Sequence, residues 1–164
     1  MDKEPMTLAG YNKITGDLEF LKKTERPETV IALDEARQLG DLKENAEYHS
    51  AKEKLGLIDS QIAELNAVIS KAVIIDPSTL PHNKVGFGST VSLVDVKTEE
   101  EFTYTIVGGV ESNAEKGMIS FNSPLAKQLM GKEEGDEIKA TLPGGIKTYE
   151  VLGVCYKEIS LIWM

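Results

Sequence analysis

The stretch GDLKENAEY, residues 40–48, lies between two segments whose apolar residues recur at helical spacing. In the following segment the apolar residues step by three and four positions, which is the spacing of a coiled-coil seam; they are Leu55, Ile58, Ile62, Leu65 and Ile69. Tyr48 and Ala51 extend this seam backward. We therefore predict one helix from about Asn45 to Ala72, which would be about 40 Å long at 1.5 Å per residue.

The segment before residue 40 has a helical pattern too, but Pro27 interrupts it. Its first apolar residues step by three and four positions and are Tyr11, Ile14, Leu18 and Leu21. A proline inside a helix costs about 3 kcal/mol, whereas in the first turn its missing N–H group is harmless. We therefore predict that Thr24 caps a new helix, which reaches about Leu39 and has as its seam residues Val30, Leu33 and Ala36. Gly40 fits the position after a helix, where φ is often positive.

Two helical arms joined by a short turn with a glycine predict an antiparallel hairpin over residues 8–73, with Gly40 at the turn. Each arm has one apolar stripe and few aromatic side chains, so the two stripes can bury each other and little else. We expect a thin two-stranded coiled coil that projects from a separate body, with residues 40–45 at its tip.

The two carboxylates at this tip, Asp41 and Glu44, allow two interpretations. An acidic residue at an N-cap and a glutamate three positions later form a capping box, although Ser or Thr is the usual first member. Alternatively, a slim rod that ends in carboxylates can carry them into a place that the body cannot enter. Mg²⁺ is often held by one or two protein carboxylates while waters or phosphates complete its shell. The pair could therefore complete a metal site in a partner.

The second half of the chain is rich in glycine and β-branched residues and predicts strands around one short helix. Alternating segments such as TVSLVDV (90–96) and EFTYTIVG (101–108) are typical strands. Ser123 and Pro124 fit the cap and first position of the short helix. The predicted fold class is α+β, with an N-terminal antiparallel helical hairpin and a C-terminal antiparallel sheet. The predicted boundaries are 1–75 for the hairpin, 76–85 for a linker and 86–164 for the second domain.

Composition limits the classes of function. The 164 residues carry a formal net charge of −9, and an acidic chain repels phosphate backbones, so we expect no autonomous nucleic-acid binding. Cys155 is the single cysteine, and His49 and His82 are far apart in sequence, so we expect neither a disulfide nor a dedicated transition-metal site. The N-terminus has no apolar run like a secretory signal, and no stretch reaches the roughly 18 apolar residues of a membrane span. We expect a cytoplasmic protein.

Segments along most of the chain resemble the GreA/GreB family of bacterial transcript cleavage and elongation factors. The segments are PMTLAGYNKI near the start, RPETVIALDEARQLGDLKENAEYHSAKEK over the tip, VIIDPS at the linker, FGSTV at the start of the second domain, and SFNSPLAKQLMGKEEGDEIKATLPGGIKTYEVLGV near the end. The tip motif is the most specific of these. Leu42 and the modest number of basic residues on the hairpin are more similar to the GreA branch than to the GreB branch.

The resemblance implies a partner and an activity. Members of the family bind bacterial RNA polymerase, and their coiled coil enters its secondary channel. There the acidic tip stimulates the polymerase's own hydrolysis of backtracked RNA and rescues arrested complexes. Asp41 and Glu44 match the family's functional acidic positions and are expected to help hold a second Mg²⁺, shared with the polymerase, and to position the attacking water. The resemblance implies no metal on the isolated protein, no autonomous catalysis, no membrane partner and a monomer.

Further residues match the family outside the acidic pair. Arg37 and Lys52 match a small basic patch near the tip, which suits the displaced RNA 3′ end; the alternative is ordinary solvated helix charge. The second domain resembles an FKBP-like fold that docks on the polymerase, and the matching segment near the docking surface is Asn122, Ser123 and Pro124.

Two other functions and one departure remain. A cleavage-inhibiting paralogue would have an altered tip, whereas the order from Asp41 to Asn45 is intact. A prolyl isomerase or chaperone would need an aromatic-lined pocket in the second domain, and an isomerase assay on a proline peptide would distinguish this class. The apolar ending KEISLIWM, residues 157–164, is longer than usual for the family and contains Trp163. It can add an edge strand, cover its own domain or contact a partner.

Overall fold

The computed structural model describes residues 3–161 and residue 164, and the chain divides into two compact units. The helical unit comprises Asn12–Lys71, and the second unit joins the chain up to Tyr11 with the chain from Ala72 onward. The sequence-based boundary had placed all of residues 1–75 together. The difference has a physical cause, because strand β1 (Glu4–Thr7) pairs in parallel with strand β2 (Ala72–Ile75).

The helical unit contains an antiparallel hairpin. Its first arm is formed by α1 (Leu8–Phe20), which begins in the other unit, and by α2 (Arg26–Gln38); its second arm is α3 (Ala46–Lys71). The antiparallel direction is visible at Arg26, near the start of α2, whose Nε donates to Asp59 Oδ1 on α3 at 2.7 Å. No helix in the described part of the chain is long and apolar enough to cross a membrane.

The predicted seam is the least exposed stripe of each arm. Leu33 and Ala36 on α2 and Ile58 on α3 are buried, and the half-buried members of the α3 stripe are Tyr48, Ala51, Leu55, Ile62, Leu65 and Ile69. Thr29 is buried where Val30 was expected to be, and its Oγ1 donates to the Glu25 carbonyl at 2.8 Å. The predicted hairpin is thereby confirmed in its main feature.

The prediction that Thr24 caps a new helix is wrong. Residues 21–25 form a π-helical turn that joins α1 to α2, and the Arg26 N–H bonds the Leu21 carbonyl five residues back. The ring of Pro27 would clash with the carbonyl four positions earlier in a regular α-helix, and a π-type turn absorbs such a break without ending the helix. The first arm therefore continues through its proline.

The second unit is built on a five-stranded sheet. Its strands are β3 (Thr90–Asp95), β4 (Glu101–Val107), β5 (Met118–Ser120), β6 (Glu137–Leu142) and β7 (Gly145–Cys155), and their order across the sheet is β5-β4-β3-β7-β6. Helix α4 (Pro124–Leu129) gives Ala126 and Leu129 to the core, which also contains Leu93, Ile106 and Val151. The predicted α+β fold class is confirmed.

One edge of this sheet differs from the prediction. Neighbouring strands are antiparallel except β4 and β5, which are parallel. Parallel neighbours need a crossover connection, and residues 108–117 supply it through two short 3₁₀ turns, Gly109–Glu111 and Ala114–Lys116. The sequence pattern showed the strands but not the direction of this last pairing.

The C-terminal tail packs on its own unit. Ile159 and Leu161 are buried beside Val107, and residues that pack against this cluster are Ala9, Met118 and Met164. Trp163, which prompted the sequence-based question about the tail, lies outside the described residues. Of the three roles considered for the tail, covering its own domain is the one that the described residues support.

A buried glutamate joins the N-terminal segment to the same unit. Glu111 is fully buried, and its Oε1 accepts hydrogen bonds from the backbone N–H groups of Thr7 at 2.8 Å and Gly108 at 3.2 Å. Its Oε2 contacts the Thr7 hydroxyl. A Cβ on Gly10 would lie 2.5 Å from the Glu111 carboxyl carbon, so this close approach requires glycine. Burial raises the pKa of the Glu111 carboxyl, and the hydrogen bonds from Thr7 and Gly108 lower it in part.

We predict that Glu111→Gln flattens part of the pH dependence of stability. A carboxyl whose folded pKa is raised binds more protons when folded, so the wild type loses stability as pH rises from about 4.3, the ordinary glutamate pKa, through the raised pKa. Gln keeps one acceptor for the two N–H groups and can donate to Thr7. The free energy of unfolding of the variant, measured in denaturant from pH 4 to 8, should therefore rise relative to the wild type.

Glu111→Ala serves as the comparison. It leaves two buried N–H groups without an acceptor and should cost about 2–4 kcal/mol at pH 4. The cost should become smaller as pH rises, because only the wild type carries the carboxyl whose ionisation destabilises the fold. Parallel pH profiles for the wild type and Glu111→Gln would contradict the raised pKa.

Candidate functional site

The candidate site is the turn between α2 and α3. Helix α2 ends at Gln38, where the Leu39 N–H bonds the Ala36 carbonyl at 3.1 Å and the Gly40 N–H bonds the Arg37 carbonyl at 3.3 Å. Gly40 has φ +101°, a conformation that glycine adopts without steric cost. The predicted break at Gly40 is confirmed, and the chain then makes a short turn over residues 42–44 before α3 begins.

Asn45 connects the two helix ends across this turn. Its Oδ1 accepts from the Tyr48 N–H at 3.0 Å, and its carbonyl accepts from the His49 N–H at 3.1 Å, so Asn45 is the N-cap of α3. Its Nδ2 donates to the Ala36 carbonyl at 2.6 Å. A single side chain therefore satisfies one free donor of α3 and adds a second hydrogen bond to the Ala36 carbonyl at the end of α2.

This arrangement overturns the capping interpretation of Asp41. Asp41 Oδ1 accepts from the Lys43 N–H at 3.2 Å, which is a local turn outside α3. Within the described residues the Glu44 carboxylate takes part in no hydrogen bond or ion pair. Both side chains are exposed. Neither carboxylate caps α3, so both remain available to a ligand or a partner.

His49 holds the same turn from the side of α3. Its Nε2 lies 3.0 Å from the Lys43 carbonyl, and since a carbonyl only accepts, Nε2 is the donor. Its ring meets the Tyr48 ring edge-on, with centroids 5.4 Å apart. The loop that carries Asp41 and Glu44 is thus fixed at Lys43 and at Asn45.

The two basic residues singled out from the sequence lie together on the hairpin. Arg37 is in the last turn of α2, Lys52 is in α3, and each has its charged group 5.9 Å from the centroid of the Tyr48 ring. Arg37 also has one long contact with Asp34, at 3.5 Å. Sequence reasoning had assigned Tyr48 only to the apolar stripe. Its position four residues before Lys52, on one helix face, was the available signal.

The donor set of the tip is limited to carboxylates. Nowhere in residues 3–161 or at residue 164 do three or more His, Cys, Asp or Glu side chains come together to hold a metal ion. Carboxylate oxygens suit Mg²⁺, but two carboxylates leave most of its coordination shell open. Asp41 and Glu44 therefore fit a Mg²⁺ ion whose other ligands come from elsewhere.

The candidate docking segment lies in the second unit, between β5 and α4. Ser123 Oγ accepts from the Ala126 N–H at 3.3 Å and caps α4, while Pro124 occupies the first helical position. Asn122 and Pro124 are exposed, and Asn122 Oδ1 accepts from the Ser120 hydroxyl. Ser123 thus has a structural task, whereas its two neighbours are open to a partner.

Comparison with known proteins identifies the family. The family described as "Transcription elongation factor, GreA/GreB, C-term" matches residues 80–156, and the one described as "Transcription elongation factor, N-terminal" matches residues 4–74. The transcription elongation factor GreA of Aliarcobacter butzleri (strain RM4018) is 85% identical over 161 residues, which are 98% of this chain and 100% of that protein. The GreA of Nautilia profundicola is 57% identical over 97% of this chain and 98% of its own. The chain therefore belongs to the GreA/GreB family of transcription elongation factors.

We predict that Asn45, not Asp41, controls the local stability of the tip. Asn45→Ala removes the cap and the bond to Ala36, and should cost about 1–3 kcal/mol. Asn45→Asp keeps a capping oxygen but loses the donor, so its cost should be smaller. Asp41→Ala is the matched control and should leave α3 unchanged. Amide exchange at Tyr48 and His49 measures the effect; equal acceleration by Asp41→Ala would contradict the assignment of the cap.

Proposed function

We propose that this elongation factor binds bacterial RNA polymerase and inserts the tip of its hairpin into the secondary channel. There it stimulates the polymerase's own cleavage of backtracked RNA and rescues arrested complexes. The observation that carries the proposal is the state of Asp41 and Glu44: both are exposed on a braced turn, and Asn45 performs the capping task that would otherwise explain them. The tip therefore has carboxylates to offer to a partner's active site.

The chemistry follows from what these carboxylates can do. A second Mg²⁺ in a phosphodiester site would activate a bound water molecule and stabilise the negative charge that develops on the phosphate. Asp41 and Glu44 would contribute oxygen ligands to that ion and accept a hydrogen bond from the attacking water. Asn45 and His49 keep the loop in one conformation, so the carboxylates need little reordering on binding. The polymerase supplies the remaining ligands, and the isolated factor is proposed to have no nuclease activity and no bound metal.

Arg37 and Lys52 are proposed to contact the displaced RNA 3′ end. They bring two positive charges close to the tip of a chain whose net charge is −9. Arginine and lysine are the usual ligands of phosphate oxygens. The acidic remainder of the chain disfavours nucleic acid elsewhere, so RNA would be met only inside the polymerase.

The second unit is proposed to provide most of the binding to polymerase. The hairpin is narrow and its exposed side chains are mostly polar. Such a surface offers few of the aromatic and arginine anchors that dominate the binding energy of an interface. Asn122 is exposed in the turn before α4 and Pro124 is exposed at the first position of α4, so both are open to a partner. The factor would act as a monomer, since one tip serves one active site. Its proposed compartment is the cytoplasm.

We predict that Asp41→Asn and Glu44→Gln each lower RNA cleavage by at least about a hundredfold, the usual scale for lost electrostatic stabilisation. Asn at position 41 can still accept from Lys43, so the turn stays formed. What is lost is the negative charge beside Mg²⁺ and phosphate. Cleavage by a stalled bacterial polymerase measures the effect at limiting Mg²⁺, and higher Mg²⁺ should restore part of the rate.

Glu47→Gln is the matched control for charge. Glu47 lies on the first turn of α3 and is exposed, but it is outside the turn that carries the functional pair. It should leave the rate within about twofold of the wild type. Normal rates for both Asp41→Asn and Glu44→Gln at limiting Mg²⁺ would show that the tip carboxylates take no part in cleavage.

We also predict that polymerase binding and stimulation of RNA cleavage depend on different residues. A double variant, Asn122→Ala with Pro124→Ala, should weaken polymerase binding about tenfold, the scale of two moderate interface contacts. Ser123 is retained because it caps α4. Asp41→Asn should bind normally in the same titration. If the double variant binds as tightly as the wild type, the docking surface lies elsewhere.

A further inference from the structure

The ring of Tyr48 is the meeting point of two cations from two different helices. Arg37 comes from the last turn of α2 and Lys52 from the second turn of α3, and their charged groups both lie 5.9 Å from the ring centroid. The two charges are therefore separated by no more than twice that distance, although like charges repel. An aromatic face attracts each cation and offsets part of this repulsion.

Neither cation is neutralised by a close ion pair within the described residues, although the chain has 27 acidic and only 18 basic residues. Among the described residues Lys52 forms no ion pair, and Arg37 has only the 3.5 Å contact with Asp34. Both side chains thus keep N–H groups for an external anion.

The ring itself is held in place. Tyr48 is half-buried at the start of the α3 stripe, and its N–H donates to the Asn45 cap. His49 meets the ring edge-on and donates to the Lys43 carbonyl. The position of the cations is consequently tied to the turn that carries Asp41 and Glu44.

We infer that Tyr48 is a positioning residue. It holds Arg37 and Lys52 near the turn that carries the tip carboxylates, where the two cations bind backbone phosphates of single-stranded RNA. This role rests on the function proposed above and adds a residue to it. Tyr48 acts through the two cations and does not contact the RNA itself. Its aromatic face is the required property, and its hydroxyl is dispensable.

Two variants separate the ring from the rest of the side chain. Tyr48→Leu keeps a large apolar group on the stripe but removes the aromatic face, and it should lower the maximal cleavage rate at saturating factor about fivefold, since each cation–π contact of this kind is worth a few-fold. Tyr48→Phe keeps the face and should stay within about twofold of the wild type. The factor concentration that gives half-maximal cleavage should change little in either variant, because docking belongs to the other unit.

A double-mutant cycle with Arg37→Gln provides the readout that a purely structural role would not move. Arg37→Gln should lower the rate clearly in the wild type and much less in the Tyr48→Leu background. Leu55→Ala, which weakens the same stripe away from the cations, is the control, and there the Arg37→Gln effect should keep its full size.

The outcomes are distinguishable. A wild-type protein that does not stimulate cleavage would refute the proposed function itself. A wild-type protein that does, with Tyr48→Leu equal to it or with Arg37→Gln equally harmful in both backgrounds, would refute only the role of Tyr48.

Discussion

The tip of this protein depends on the hydrogen bonds that the Asn45 side chain makes to both helices of the hairpin. Its oxygen caps α3 while its nitrogen donates to the Ala36 carbonyl near the end of α2. A two-helix hairpin has no third element to close its end, so the free N–H and C=O groups of both helices need partners within the turn. One amide, which is both acceptor and donor, serves both helices, whereas an ionised aspartate could only accept and would serve α3 alone.

This division of labour has a functional consequence. Because Asn45 caps α3, neither Asp41 nor Glu44 is needed as a cap, and both side chains are exposed. The Tyr48 ring, one turn into α3, gathers Arg37 and Lys52 beside the same turn. In the proposed function, the end of the hairpin thus carries both the carboxylates that bind the metal ion and the cations that bind RNA phosphates. The second unit docks on polymerase.

The sequence allowed the hairpin seam, the break at Gly40 and most strands to be predicted, because these depend on periodicity and local turn chemistry. It misassigned or missed features that periodicity does not determine. The capping-box pattern favoured Asp41, but the bond to Ala36 selects Asn45. A proline rule placed a helix start at Thr24, whereas a π-type turn keeps the arm continuous. The contact of Thr7 with Glu111 spans 104 positions and leaves no periodic signal. Motif resemblance indicated the candidate site residues, and the geometry distinguished Tyr48 from the rest of its stripe.

In the proposed function, this protein makes RNA polymerase cleave its own transcript. The most direct measurement is the release of short 3′ RNA fragments from a stalled, backtracked bacterial polymerase, with and without the protein. Rapid cleavage is expected only when polymerase, Mg²⁺ and the protein are all present, and elongation should resume after nucleotides are added. No acceleration over polymerase alone, or cleavage of the same RNA by the protein without polymerase, would contradict it.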